Sequence, residues 1–250
     1  MNMNKLMFIL FLYDIIIKVN SMIFFKYIFI FLFFSFIGWI LELVYRGIRI
    51  KKIVNPGFMS GCVVPLYGFG AVILYIICNL FEKVNSDYKI IIIFIISIIL
   101  LSLLELISGI ILDKCFNLRL WDYSKNKFNF KGHICLLYSM YWGFLSLIFY
   151  NFIYPKLTNI TMNFINSGVG LFILGICAGL FLIDLCVSIG LLNRIVKYSK
   201  IITETIDLEK LKLDIRRRVK RKKIFNSLFP YIITNKYLRD KLNDKKNEFK

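Results

Sequence analysis

Long uninterrupted apolar runs, rather than a 3.6-residue or two-residue alternation, set the pattern of this chain. Four stretches, 22–44, 89–112, 133–154 and 168–193, are apolar enough to cross about 30 Å of hydrocarbon as helices, which takes roughly 20 residues. A fifth, 60–81, is less apolar but long enough. Polar and turn-forming residues gather between them, at 45–59, 82–89, 113–132 and 155–167. The pattern predicts an all-α fold: a polytopic membrane helical bundle of about five transmembrane helices, since helices satisfy their own backbone groups in lipid. It divides the chain into an N-terminal extension (1–21), a transmembrane bundle (22–193) and a basic tail (194–250). Residues 6–17, LMFILFLYDIII, are apolar but short, and Asp14 interrupts them. The preferred reading is an interfacial helix; a sixth span continuous with later residues and a signal-like segment are the alternatives. No small-residue cleavage site follows, so the segment is expected to be retained.

Composition strengthens this reading. Of 250 residues 58% are hydrophobic and the mean hydropathy is +0.70, more apolar surface than a soluble core of this size could bury. The net charge of +18 would suggest nucleic acid in a soluble protein, but here its distribution follows the spans. Segment 45–59 holds Arg46, Arg49, Lys51 and Lys52, and segment 113–132 holds Lys114, Arg119, Lys125, Lys127 and Lys131. Segment 82–89 has only Lys83 and Lys89, and 155–167 only Lys156. Five spans and the positive-inside bias put the N-terminus outside and both basic loops and the tail in the cytoplasm of a cell membrane. The abundance of Ile, Lys, Asn and Phe suits an AT-rich bacterial genome, and hence a bacterial plasma membrane. Within the tail, Arg216, Arg217, Arg218, Lys220, Arg221, Lys222 and Lys223 form a cluster that could hold anionic membrane lipid, at about 1 kcal/mol per basic residue, or act only as an orientation signal. No stacking platform or nucleic-acid motif accompanies it, so nucleic acid is not an expected partner.

The six cysteines form no CxxC pair and the only histidine is His133, so no metal, redox centre or other cofactor is expected. No HExxH or Ser/His/Asp set is present, which makes an enzyme unexpected; a carboxylate-only mechanism is the route left open.

Two parts of the chain resemble each other. LEL at 41–43 is followed by GCVVPLYG at 61–68, and LEL at 104–106 by GHICLLYS at 132–139. Aligning Gly61 with Gly132 pairs Leu66 with Leu137 and Tyr67 with Tyr138, as expected of two parallel helical hairpins related by an axis along the membrane normal; chance in a biased composition is the alternative. In the first hairpin Asn55, Pro56, Gly57, Gly61, Pro65, Gly68 and Gly70 make a re-entrant turn, which serves either as turn and packing chemistry or as a cavity lining or docking site. In the second, LWDYSKNKFNFKGH (120–133) suits a folded interfacial loop, with Trp121, Asp122, Tyr123, Asn129 and Gly132 as the expected partner-facing residues.

Three acids lie inside spans. Glu42, Glu105 and Asp184 fall roughly 6, 12 and 15 Å from the inner ends of their helices at about 1.5 Å per residue, with no Lys or Arg deep in a span to pair with them. A bare carboxylate at that depth costs several kcal/mol, so each needs water, a proton or donors. The expected intramembrane polar site comprises Glu42, Glu105 and Asp184 with Tyr67, Tyr138 and Trp142; Trp39, Ser102 and Ser139 are further donors. Glu42 has a simpler alternative in an ion pair with Arg46 at i+4. The spacing Gly175 to Gly179 allows close helix approach, inside the bundle or between copies in a homo-oligomer.

FIGWILELVY, VNPGFMSGCVVPLYGFG, WDYS, KFNFKGHICLLYSMYWG and KIFNSLFP, in that order, resemble the ABC transporter permease family of bacterial membrane proteins, the type IV or CmpB-like group. The likeness covers most of residues 25–230; Pro56 stands where the family has Arg, and Cys62 where it has Pro. The resemblance implies transport. No GxxxxGK[ST] occurs in the chain, so ATP hydrolysis would belong to a separate cytoplasmic ATPase docking on 45–59 and 113–132. The competing expectation is a non-transporting scaffold or regulator that recruits partners or anionic lipid through the inner loops and tail.

Overall fold

The first helix of the computed structural model, α1 (Met3–Ile50), carries the N-terminal stretch and the first span on one unbroken helical backbone. The structure describes residues 3–50, 55–116, 118–202 and 206–207, with side chains placed over 21–48, 55–116 and 118–190. The helices that follow are α2 (Pro65–Phe81), α3 (Lys89–Phe116), α4 (Leu136–Ile148), α5 (Tyr154–Asn166) and α6 (Gly168–Ile202). Four segments, Ser21–Ile48, Lys89–Phe116, Leu136–Asn166 and Gly168–Gly190, are long and apolar enough to cross a membrane, and α2 is a shorter apolar helix. The protein is a polytopic helical membrane bundle.

Among the span boundaries that differ from the sequence expectation, two have a clear local reason. The second helix starts at Pro65 rather than 60, because Pro at the first helical position gives up only a donor that would lack a partner anyway. The fourth crossing runs on through the polar stretch 155–167. A π-helical turn, Phe149–Ile153, joins α4 to α5, and Pro155, which has no N–H to donate, falls in the first turn of α5 directly after it. Tyr154, Leu157, Thr161 and Ile165 then recur at helical spacing on the buried side of α5.

The helices run up and down, with α1, α3 and α6 ending at the Arg- and Lys-rich side, called here the basic end. α1 packs chiefly on α2 and α3 on α4. With lipid as apolar as the side chains, such pairs are held by close packing rather than by escape from water. Glycine permits it: a Cβ on Gly38 would lie 2.3 Å from Tyr67 Cβ, and one on Gly68 2.2 Å from Ser35 Oγ. Ile30, Leu74, Ile77, Cys78, Ile93 and Leu101 form a continuous apolar core with Phe149 and Leu157, extending toward the end opposite the basic one. α6 lies at the edge, and Cβ atoms built on Gly175 or Gly179 would meet nothing within 4 Å.

Short strands finish the basic end. β1 (Leu118–Arg119) pairs in parallel with β4 (Ile206–Asp207), while β2 (Asn129–Phe130) and β3 (Ile134–Cys135) form an antiparallel pair. The cluster Arg216–Lys223 lies outside the described residues.

Candidate functional site

A row of polar and aromatic side chains crosses the bundle near its basic end. On α1, Glu42 accepts hydrogen bonds from the Tyr67 hydroxyl of α2 at 3.0 Å and from Arg46 Nε, one turn on, at 3.2 Å. The Tyr67 ring lies 5.8 Å from the ring of Trp142 on α4. Trp142 Nε1 donates to Glu105 Oε2 on α3 at 3.0 Å, and the Tyr123 hydroxyl donates to Glu105 Oε1, also at 3.0 Å. Tyr123 stacks on Tyr138, ring centres 4.4 Å apart. Just beyond, Ser102 Oγ donates to Ser139 Oγ at 2.7 Å.

Glu105 is the most enclosed acid of this row, 4% exposed. Among the described residues no cation pairs with it; neutral Trp and Tyr donors hold both oxygens instead. Glu42, by contrast, has a cation at i+4. Four of the expected polar-site residues, Glu42, Tyr67, Trp142 and Glu105, therefore meet, and Tyr138 joins through its ring.

Asp184 sits elsewhere, on the re-entrant turn. Both its oxygens accept from the Gly61 backbone N–H at 3.0 Å, and Ser188, one helical turn on, donates to it at 3.3 Å while accepting the Ser60 N–H at 2.9 Å. α6 is thereby fastened to residues 60–61. A Cβ on Gly61 would be 2.8 Å from Asp184 Oδ2, so glycine is what lets the carboxylate reach the backbone. The turn itself is built around Asn55, 1% exposed. Its Oδ1 accepts from Trp39 Nε1 at 2.7 Å, and its Nδ2 lies within 3.3 Å of the carbonyls of Met59, Ser60 and Gly61. Pro56 is buried beside it, Gly57 takes φ +68°, and the Val64 N–H donates to the Ser35 carbonyl at 2.9 Å. Non-helical backbone at this depth is tolerated because protein groups satisfy it.

The loop joining α3 and α4 is equally well ordered by its own residues. Trp121 Nε1 donates to the His133 carbonyl at 2.8 Å, and the Tyr123 N–H to the Gly132 carbonyl at 2.9 Å. Asn129 Nδ2 donates to the carbonyl of Asn126 at 2.8 Å and its Oδ1 accepts from Gly132, which has φ +73°. Asp122 accepts from the backbone and hydroxyl of Ser124, and these bonds lower its pKa. His133 packs on Gly109, with Nε2 3.5 Å from Asp113; burial lowers its pKa, against the pull of that carboxylate. Arg119 spans Asp113 and Asp122, each at 3.5 Å. Trp121, Asp122, Tyr123, Asn129 and Gly132 thus all make bonds within the loop or to Glu105. The loop's exposed large hydrophobic residues, Phe128 and Phe130, were not singled out by the sequence reading.

A second polar cluster, at the end opposite the basic one, was also missed. Tyr75 and Thr158 share a hydrogen bond of 2.9 Å, Tyr154 donates to Glu82 at 3.0 Å, and Lys89 Nζ donates to the Glu82 carbonyl at 3.0 Å. Lys26 Nζ lies 4.5 Å from the Tyr75 ring centre. Tyrosines and lysines at span ends are the signal that could have found it. Among the described residues no group of three His, Cys, Asp or Glu side chains could hold a metal ion.

Comparison with known proteins returns one family. The model of the family described as "Putative ABC-transporter type IV" matches residues 29–189, which include Glu42, Glu105, Asp184 and both ordered loops. No curated protein and no solved structure matches the chain. With well over half of its 250 residues inside that match, the chain belongs to the ABC-transporter type IV family.

Proposed function

We propose that the protein is a permease-like subunit of a bacterial plasma-membrane transport system driven by a separate ATPase, with its basic end in the cytoplasm. The observation that carries this reading is Glu105: an acid enclosed in an apolar bundle, held by Trp142 and Tyr123 and, among the described residues, paired with no cation. Ionisable residues inside membrane spans are costly, and where they persist they commonly serve substrate, ion or proton movement. Tyr67 and Trp142 connect Glu105 to Glu42, giving two carboxylates near the cytoplasmic mouth at which a cation or proton could be exchanged. Asp184 has a different role in this account, fixing α6 on the turn.

A scaffold that transports nothing is favoured by one observation, the continuous apolar core of Leu74, Ile77, Ile93 and Leu101 packed between the helices. A transporter at rest needs such a core too, so the acid decides between them. In cells lacking the native chain, Glu105→Gln should insert normally and abolish the transport phenotype. Full function of Glu105→Gln, with loss of function only on deletion of 194–250, would establish the scaffold instead.

A further inference from the structure

Between α3 and α4 the chain presents two exposed aromatic rings. Phe128 is 81% exposed and Phe130 52%. Lys125, Lys127 and Lys131 are exposed around them, with Lys131 Nζ 5.6 Å from the centre of the Phe130 ring. Phe128 and Lys131 both adopt φ +53°, a left-handed conformation rare for side chains of this size, held by the loop bonds of Asn129 and Gly132. The presentation of these residues is therefore fixed rather than loose.

The loop also lies alongside the spans instead of projecting past them. His133 packs on Gly109, which is roughly 10 Å before the end of α3 at about 1.5 Å per residue. Tyr123 reaches further, to Glu105, and its ring stacks on Tyr138 in the first turn of α4. A loop folded back to that depth sits where hydrocarbon gives way to headgroups. At that level aromatic rings settle against the acyl boundary, and lysines extend their charged ends to phosphate.

We propose that residues 125–131 form an anchor for anionic phospholipid, with Phe128 and Phe130 in the interfacial layer and Lys125, Lys127 and Lys131 on headgroup phosphates. This site is separate from the basic cluster of the tail and does not rest on the permease reading. It also removes this face of the loop from the surfaces open to a soluble partner.

Photo-crosslinking tests it. Full-length chains carrying p-benzoylphenylalanine at Phe128, at Phe130, or at Ile99 as a mid-span control that is 59% exposed, are placed in vesicles of phosphatidylethanolamine and phosphatidylglycerol in equal amounts. The expected result is lipid adducts at Phe128 and Phe130 as at Ile99, with phosphatidylglycerol over-represented at the two loop positions. Combining the label with Lys125→Gln, Lys127→Gln and Lys131→Gln should reduce the phosphatidylglycerol adduct at least about fivefold, the factor that one basic contact near a membrane surface supplies. Protein adducts, or none, at both loop positions while Ile99 labels lipid would overturn the anchor. An unchanged phosphatidylglycerol share in the lysine variant would overturn the phosphate contact.

Discussion

The α1–α2 and α3–α4 hairpins solve the same problem in different ways. Each places a carboxylate near the basic end of its first helix and answers it with an aromatic donor from the next, Tyr67 to Glu42 and Trp142 to Glu105. In the first hairpin an arginine one turn away also contacts the acid, and the connection is a short turn wound around Asn55. The second hairpin has glycine, Gly109, at the position equivalent to Arg46, and the space is taken by His133 from a longer loop. One acid is thus paired with a cation and the other is left to neutral donors. The difference teaches that like motifs in a bundle can be satisfied differently: Glu42 has an ion pair within its own helix, whereas Glu105 depends on neutral donors brought from α4 and from the loop.

The largest expected effect comes from the turn that the second hairpin lacks. Asn55→Ala strips the buried Trp39 N–H and three carbonyls of a partner and should destabilise the protein by about 3 kcal/mol, since stranded buried groups cost about 1–3 kcal/mol. Asn129→Ala, in the exposed loop of the other hairpin, should cost under about 1 kcal/mol. Thermal unfolding of both variants in the same detergent checks the ranking, and equal losses would break the contrast.

Packing gives the next test. Gly68→Ala drives a methyl into Ser35 Oγ and the Phe31 carbonyl, at 2.2 and 2.5 Å, and should destabilise by about 2 kcal/mol. Gly175→Ala meets nothing within 4 Å and should change the same unfolding temperature little, within about 0.5 kcal/mol. A marked loss at Gly175 would instead reveal a neighbour on that face, such as a second copy.

Smaller effects distinguish the two acids and the two loops. Arg46→Gln removes an i,i+4 pair worth about 0.5 kcal/mol, making Glu42 resemble Glu105 without loss of insertion. His133 supplies a pH signature particular to the second hairpin. Burial holds its folded pKa below the usual value, so the folded protein keeps it neutral when the unfolded chain takes up a proton. Stability should therefore be unaffected well above pH 6.5, fall as pH drops through about 6.5, and level off below the folded pKa. Asp113, Arg119, Lys131 and Asp122 act on the same ring, and His133→Gln should flatten this segment of the unfolding-versus-pH curve.

How much of this was legible depended on how far apart the interacting residues lie. The spans could be read because long apolar runs need no tertiary partner to declare themselves. The helical run of α5 could not, because Pro155, Lys156, Thr158 and Asn159 have the composition of a loop and the helix is kept by packing of Leu157, Thr161 and Ile165. For Glu105, Trp142 was visible as a donor in the facing span. Tyr123 was not, since its approach depends on how the loop folds back; the repeat alignment pointed to Tyr138, which stacks on Tyr123 instead. Asp184 was legible as an acid within a span but not as a ligand of the Gly61 backbone, a contact between distant parts of the chain that spacing does not encode.

The claim that matters most is that this bundle works with a separate ATPase. Its most direct test is purification of the tagged full-length protein from its own membranes in mild detergent, with co-purifying chains identified by mass spectrometry. The account predicts a stoichiometric cytoplasmic ATPase, retained in Glu105→Gln. Reproducible recovery of the bundle without one, from membranes where the protein is functional, would contradict it.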